Sequence, residues 1–407
     1  MPSSFGWLDY SDAERRRVLD VVQSLREKET RDELGLATVR DALADLLAPG
    51  LSTIQTRPRY FLFIPWLYLQ LEERLRRLPP RDKAAVAQEA RRAEIGLIDA
   101  LVGNGERDGV IGVDARKGLQ RLPSSVYWSG LESWGIRRLR GPIDAYHHRL
   151  AVYGPPPRRI ELDPGEGLPN WHAGLPQPPP DFPSSAVMGL QPEEADYLRD
   201  RIVQMHPGTL LGQLALADDV PVDVDYPWEA VELGVDLPPP VAATVSQARN
   251  FAETLHGAAL IYNLMLAERR GVEPWIERYR GRLADWAEVM EARQGELVDW
   301  SADSLWRLLD SVQARIPPST RRFVTEWLDR LFAAAHARDL LEDPAVREMI
   351  RRRERRLKKS LSRLDNPRRL ETWGGASGSQ RMSYRWDTLR AVLRDLRDAT
   401  AGAAADA

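Results

Sequence analysis

Apolar residues recur at helical spacing along most of this 407-residue chain, and that period constrains the fold more than any other feature. Ser11 and Glu14 form a capping-box pattern, and Val18 and Val22 follow at helical spacing, so a helix is predicted over 12–28. The same period predicts a helix that ends at Leu47 and further helices over 65–77, 84–102, 192–205, 241–270, 277–294, 302–313, 320–337, 345–364 and 384–399. The chain is therefore predicted to be mainly α and multi-helical, with a small N-terminal part that is α or α+β.

The composition changes sharply between Gly154 and Pro183. This stretch contains ten prolines, including two runs of three. Prolines at this density favour an extended, polyproline-like backbone. We therefore predict an N-terminal helical domain over 1–153, a proline-rich linker over 154–187 and a C-terminal helical domain over 188–407.

The residue inventory excludes several classes of protein. The chain has no cysteine, so it has no disulfide, no thiolate metal site and no cysteine nucleophile. It has no stretch of eighteen apolar residues, and no apolar run behind a basic head at its start. We expect a cytoplasmic protein without a membrane span.

The usual catalytic motifs do not occur. The sequence lacks a His-Glu-x-x-His pair, a Gly-x-Ser-x-Gly elbow and a phosphate-binding P-loop. His147 and His148 are adjacent, so on a helix they would point about a hundred degrees apart and could not both bind one metal. The glycine-rich segment 103–109 carries two acids that would repel a phosphate, which favours a turn. We therefore predict no metal site and no cofactor, and we favour a protein that is not an enzyme.

One polar pair could still form a small pocket. His256 and Asn263 lie seven residues apart on the helix predicted over 241–270, so they share a face. Trp373 and Ser377 belong to a glycine-rich loop that could close over a ligand. The alternative is that His256 belongs to a packing face and the loop only joins two helices.

A polar loop before the aromatic segment 60–66 is the first candidate binding site. Its donors suit phosphate oxygens, and the following helix would direct its N-terminal dipole at the same place. These residues are Ser52, Thr53, Thr56, Arg57 and Arg59. With the preceding helix, the segment resembles a helix-turn-helix, and loss of both arginines should then weaken function without unfolding the protein. Alternatively, the arginines are structural and pair with Asp32, Glu33, Asp41 or Asp45.

A second candidate lies over 123–138. A short helix that ends at a glycine and is followed by Arg137 and Arg138 has the pattern of a winged-helix module. Short helices with aromatic anchors show the same pattern without binding nucleic acid. Both interpretations fit the sequence.

The third candidate is a basic helix near the C-terminus. Between Arg347 and Arg369, eleven arginines and lysines stand against three acids, although the whole chain has a net charge of −3. An apolar stripe is predicted at Val346, Ile350, Leu357, Leu361 and Leu364. The stripe would leave an exposed basic face that includes Arg352, Arg355, Arg356 and Lys359. Such a face could bind nucleic acid in a salt-sensitive way, or it could dock on the acidic remainder of the chain or on an acidic partner protein.

Several motifs resemble those of a bacterial family of unknown function. They are Ser4–Tyr10, which reads Ser-Phe-Gly-Trp-Leu-Asp-Tyr, and the segments 30–35, 52–66, 122–128, 256–263 and 373–378. The resemblance implies a setting near helicase and nuclease genes of anti-phage islands, and it implies no activity or cofactor. The favoured hypothesis is a non-enzymatic component that acts with nucleic-acid-processing partners. The alternatives are an enzyme with a site near His256 and the loop 373–379, or a protein-binding scaffold.

Overall fold

A computed structural model describes residues 32–78, 82–156, 169–217 and 219–405 of the chain. The helix predicted over 12–28 and the motif Ser4–Tyr10 lie outside the described residues. No helix within these ranges is long and apolar enough to cross a membrane.

The described ranges contain helices and no strand, which confirms the mainly α prediction. Because no sheet occurs there, the described N-terminal part is α rather than α+β. The helices are α1 (Ala37–Leu47), α2 (Tyr60–Arg77), α3 (Lys83–Gly103), α4 (Pro123–Ser133), α5 (Ile143–Tyr153), α6 (Pro192–Met205), α7 (Leu210–Leu216), α8 (Pro227–Glu232), α9 (Pro239–Arg270), α10 (Glu273–Ala292), α11 (Gln294–Leu297), α12 (Ala302–Ser311), α13 (Pro318–Ala333), α14 (Pro344–Lys358), α15 (Pro367–Glu371) and α16 (Trp386–Ala405).

The chain divides into two compact units, and each is built from two separate segments. The first unit contains the described residues of 1–42 together with 247–382, and the second contains those of 43–246 together with 383–407. The two units therefore divide after residues 42, 246 and 382, and not at the predicted boundaries at 153 and 188. The three-part division remains a prediction from composition.

Helix α2 is the central helix of the second unit. It begins at Tyr60 and continues through Pro65, although the sequence predicted a helical start only at Pro65. Pro65 is the sixth residue of the helix and lacks the amide that would donate to the Phe61 carbonyl, so the helix continues through it with one hydrogen bond fewer. The residues from Tyr60 to Tyr68 are all buried, and the Phe61 ring stacks on Trp134 with ring centroids 3.9 Å apart. A helix that is apolar all round belongs inside a core.

The described part of the proline-rich segment packs on α2. The indole of Trp66 donates a hydrogen bond to the Pro176 carbonyl at 2.7 Å. The Phe182 ring lies 5.8 Å from the ring of Phe63 and 5.2 Å from that of Trp66. Side-chain contacts therefore hold this segment, which has few backbone amides to donate.

The core of the first unit forms where α9 meets α10. Trp286 donates its indole N–H to the Glu253 carbonyl at 2.8 Å, and Trp327 donates to the Thr254 carbonyl at 3.0 Å. A Cβ atom at Gly257 would lie 2.2 Å from the Trp286 ring. Glycine at 257 therefore allows the tryptophan to lie directly against the backbone of α9.

Candidate nucleic-acid interface

The two arginines of the loop 52–59 are engaged within the second unit. Arg59 is only 3% exposed, donates to Glu194 Oε1 at 2.7 Å and to the Val187 carbonyl at 2.8 Å. Arg57 donates to Asp395 Oδ2 at 2.7 Å. These contacts favour the structural interpretation of the pair, with Asp395 and Glu194 as the partners rather than the acids near the N-terminus.

Of the other predicted donors of the loop, Thr56 is also used internally. The Thr56 hydroxyl donates to the Gly109 carbonyl at 2.6 Å, and the Thr56 amide donates to the Tyr127 hydroxyl at 2.8 Å. The Ser52 hydroxyl is buried, and Thr53 alone of the predicted residues is exposed. The first half of α2 is buried in the core, so it is not available to enter a DNA groove as a recognition helix.

The segment after α4 does not form the wing of a winged helix. Arg137 and Trp171 form an isolated antiparallel bridge, and no hairpin occurs here among the described residues. Arg137 is 2% exposed, forms an ion pair with Glu132, and lies 4.6 Å above the Trp128 ring. Arg137 therefore anchors α4, whereas Arg138 is exposed.

The four residues of the predicted pocket lie together in the first unit. His256 and Asn263 bond to the loop 373–379, and Trp373 and Ser377 are part of that loop. Asn263 donates to the Ser377 carbonyl at 2.8 Å and accepts from the Ser377 amide at 2.9 Å. His256 Nε2 lies 3.1 Å from the Ser379 carbonyl oxygen. Burial, together with the nearby positive charges of Arg282 and Arg381, lowers the pKa of His256 to about 4. The hydrogen bond to Ser379 acts in the opposite direction and raises the pKa. His256 is therefore neutral at physiological pH and donates to the loop.

Aromatic rings hold the start of the same loop. Trp373 is 2% exposed, and its ring lies 5.0 Å from that of Trp275 in an edge-on arrangement. Tyr279 donates its hydroxyl to the Gly375 carbonyl at 2.8 Å. The polar groups that sequence analysis assigned to a pocket thus bind the loop backbone.

Helix α14 is shorter than predicted, because it ends at Lys358 and Lys359 has a left-handed backbone with φ of 51°. Leu357 is 40% exposed, so the predicted apolar stripe is interrupted. Arg353 faces the interior instead, donating to the Leu34 carbonyl at 2.8 Å and to the Thr320 hydroxyl at 2.9 Å. A helical period places arginines on the exposed face, so the sequence could not predict that Arg353 is buried in the core.

The predicted basic face of α14 is exposed in the structure. Arg352 lies 3.4 Å from Glu326, and Arg355 donates to Asp365 at 2.6 Å. Arg356 and Lys359 form no ion pair with any described residue. Two further exposed arginines follow on α15. The basic surface, as we call it below, consists of Arg352, Arg355, Arg356, Lys359, Arg368 and Arg369.

Sequence analysis missed a buried titratable cluster in the second unit. Glu94 is fully buried and accepts hydrogen bonds from the Ser124 amide and the Ser124 hydroxyl, both at 2.8 Å. The Tyr68 hydroxyl lies 3.4 Å from Glu94 and 3.5 Å from His147 Nε2. Burial raises the pKa of Glu94 to about 7, although these hydrogen bonds favour the charged form. No local pattern marks Glu94, because its partners come from other helices.

We predict that Glu94 makes stability depend on pH. Its pKa is about 7 in the fold against 4.5 as the ordinary value, so its contribution is fully present below pH 4.5 and is lost as the pH rises through 7. In Glu94→Gln, the decrease in the free energy of unfolding between low and high pH should be smaller by on the order of 3 kcal/mol, because glutamine does not titrate. Urea denaturation of both proteins at pH 5 and pH 8 measures it, since all other groups titrate alike. Equal pH dependence in the two proteins would contradict the assignment.

Comparison with known proteins identifies a family and nothing finer. The model of a family of unknown function, DUF6361, matches residues 2–400. Neither a curated protein nor a solved structure matches the chain. The site must therefore be interpreted from its own residues.

Proposed function

The chain belongs to the DUF6361 family of unknown function, and we propose that it is a non-enzymatic nucleic-acid-binding component. The observation that carries the proposal is the basic surface of the first unit. All six of its cations are exposed, and four of them form no ion pair with a described residue. Exposed arginines and lysines without partners are the groups that neutralise backbone phosphates.

The acids near the basic surface leave its charge largely uncompensated. Of the three acids between 347 and 369, Glu354 is fully buried. Asp365 is shared by Arg351 and Arg355, and the hydrogen bond from Arg355 is the main cause that lowers the pKa of Asp365 to about 2. Glu348 alone of the three is exposed. This charge distribution supports phosphate contacts without base-specific readout, so we expect binding with little sequence preference.

We predict that replacing Arg356, Lys359, Arg368 and Arg369 together by glutamine abolishes most nucleic-acid binding at physiological salt. The ion pairs of Arg352 and Arg355 stay intact, so the fold should be preserved. Each lost phosphate contact should reduce the slope of log affinity against log salt by about 0.9. Fluorescence anisotropy with a labelled oligonucleotide over a salt series measures both quantities.

A matched control removes four other exposed arginines, namely Arg121, Arg140, Arg269 and Arg270. It changes the net charge by the same amount, so a non-specific charge effect would weaken both variants equally. Wild-type binding that is indifferent to salt, or equal loss in the control, would reject the proposal. A protein-binding scaffold would then be the better hypothesis.

We also propose that a helicase or nuclease is the partner and that the setting is anti-phage defence. The support is the resemblance of the sequence motifs to a family encoded near such genes. Purification of the tagged chain with and without nuclease treatment tests this proposal. A partner that remains after nucleic acid is digested supports a direct protein contact, whereas a helicase or nuclease absent from both samples contradicts it. The enzyme alternative gains no support, because His256 and Asn263 both bond the loop backbone.

A further inference from the structure

An arginine in the second unit is buried without a carboxylate partner among the described residues. Arg201, on α6, is 7% exposed. Its Nε donates to the Trp134 carbonyl at 3.1 Å, and its Nη1 donates to Gln204 Oε1 at 2.9 Å. Nη2 donates to no described residue, and Arg201 forms no ion pair with one. Buried charges are normally paired, so an unpaired guanidinium points to an external anion.

Two neutral side chains continue from this guanidinium towards the surface. Arg201 Nη1 lies 3.4 Å from His172 Nε2, and the Tyr197 hydroxyl lies 3.3 Å from His172 Nδ1. Burial, and then the charges of Arg201 and Arg138, lowers the pKa of His172. A neutral His172 that accepts at Nε2 carries its proton at Nδ1 and donates it to Tyr197. The hydroxyl proton of Tyr197 is then available to a ligand.

A second arginine lies near these two side chains. In the antiparallel bridge Arg137 pairs with Trp171, so Arg138 is opposite Asn170 and lies on the same face as His172, and the Arg138 charge acts on both His172 and Tyr197. The Arg138 side chain is exposed and makes no ion pair with a described carboxylate. Gly135 has φ of 63°, and a Cβ atom there would lie 2.5 Å from Arg201 Nη2. Glycine at 135 therefore leaves room for the guanidinium.

We propose that Arg138, Tyr197 and Arg201 form a binding site for the phosphoryl group of a small phosphate ester. The groups that remain available are all donors: the Arg138 guanidinium, the Tyr197 hydroxyl and Arg201 Nη2. A donor set with two arginines and no described carboxylate suits a tetrahedral dianion. The site uses no residue of the basic surface, so its test does not depend on whether the basic surface binds nucleic acid.

The test is titration of the full chain with inorganic phosphate at constant ionic strength, followed by ³¹P NMR. Saturable binding is expected for the wild type. Arg138→Gln and Tyr197→Phe should each raise the Kd at least about tenfold, since each removes one hydrogen bond to a charged group. Both side chains are partly accessible, so these variants should fold, which circular dichroism would check.

Arg199→Gln is the matched control, because Arg199 lies two residues from Arg201 on α6 and pairs with Asp196. It should bind phosphate like the wild type. A nucleoside monophosphate and a single-stranded oligonucleotide serve as further probes, and only the monophosphate is expected to compete at this site. The proposal is overturned if the wild type does not bind phosphate, if Arg199→Gln weakens binding as much as Arg138→Gln, or if the oligonucleotide alone binds through Arg138.

Discussion

Replacing Arg59 by alanine should lower the free energy of unfolding by about 3–5 kcal/mol, because it leaves a buried carboxylate without its partner. Arg59 and Glu194 have side chains that are 4% and 7% exposed, and their ion pair measures 2.7 Å. A buried carboxylate cannot recover its hydration, and the Val187 carbonyl would lose a donor as well. Since proteins are stable by only about 5–15 kcal/mol, this is a large fraction of the total.

Urea denaturation followed by tryptophan fluorescence measures the effect of Arg59→Ala. Arg74→Ala is the control, on the helix that Arg59 directly precedes, since the Arg74 side chain is 59% exposed and pairs with Glu89 at the surface. Such a pair contributes at most about 1 kcal/mol. Replacing Glu194 by leucine together with Arg59→Met should recover part of the loss. If Arg59→Ala were as stable as the wild type, the arginine would be available for an anion after all.

Replacing Glu33 by alanine should have a comparable effect on the first unit. Glu33 is 3% exposed and accepts from Arg363 Nη1 at 2.6 Å, and it also forms an ion pair with Lys358. The Tyr262 hydroxyl lies 3.2 Å from its second oxygen. Removing the carboxylate leaves two largely buried cations, and we expect a loss of about 3–5 kcal/mol.

Calorimetry of Glu33→Ala measures this loss of stability. Glu348→Ala is the control, because it removes an exposed carboxylate of the same unit. The control should change stability by less than about 0.5 kcal/mol. Glu33→Gln keeps an acceptor but no charge, so it separates hydrogen bonding from ion pairing. An unchanged melting temperature in Glu33→Ala would show that Lys358 and Arg363 find other partners.

The sequence predicted well what depends on neighbours along one helix. The helix predicted over 84–102 is α3 (Lys83–Gly103), and that over 241–270 is α9 (Pro239–Arg270). The exposure of Arg356 on α14 was also predicted, because one helical period fixes which residues share a face. His256 and Asn263 share a face for the same reason, although their partner turned out to be the loop backbone.

The sequence could not decide which arginines bind outside the protein and which bind inside it. Arg57, Arg59 and Arg137 were candidates for surface donors because arginine is usually exposed, and structural roles remained open as the alternative. The partners of the first two, Asp395 and Glu194, lie 338 and 135 residues away along the chain. No local pattern encodes a contact of that separation.

The sequence by itself determined the helical class, the absence of thiol chemistry and the charge excess between 347 and 369. Each of these follows from residue type or from a period along one segment. The tertiary structure alone decided that Arg59 is buried and that Arg356 forms no ion pair with a described residue. It also decided that Arg201 and His172 lie together. Burial and ion pairing depend on distances between segments that are remote in sequence, and only the folded chain fixes those distances.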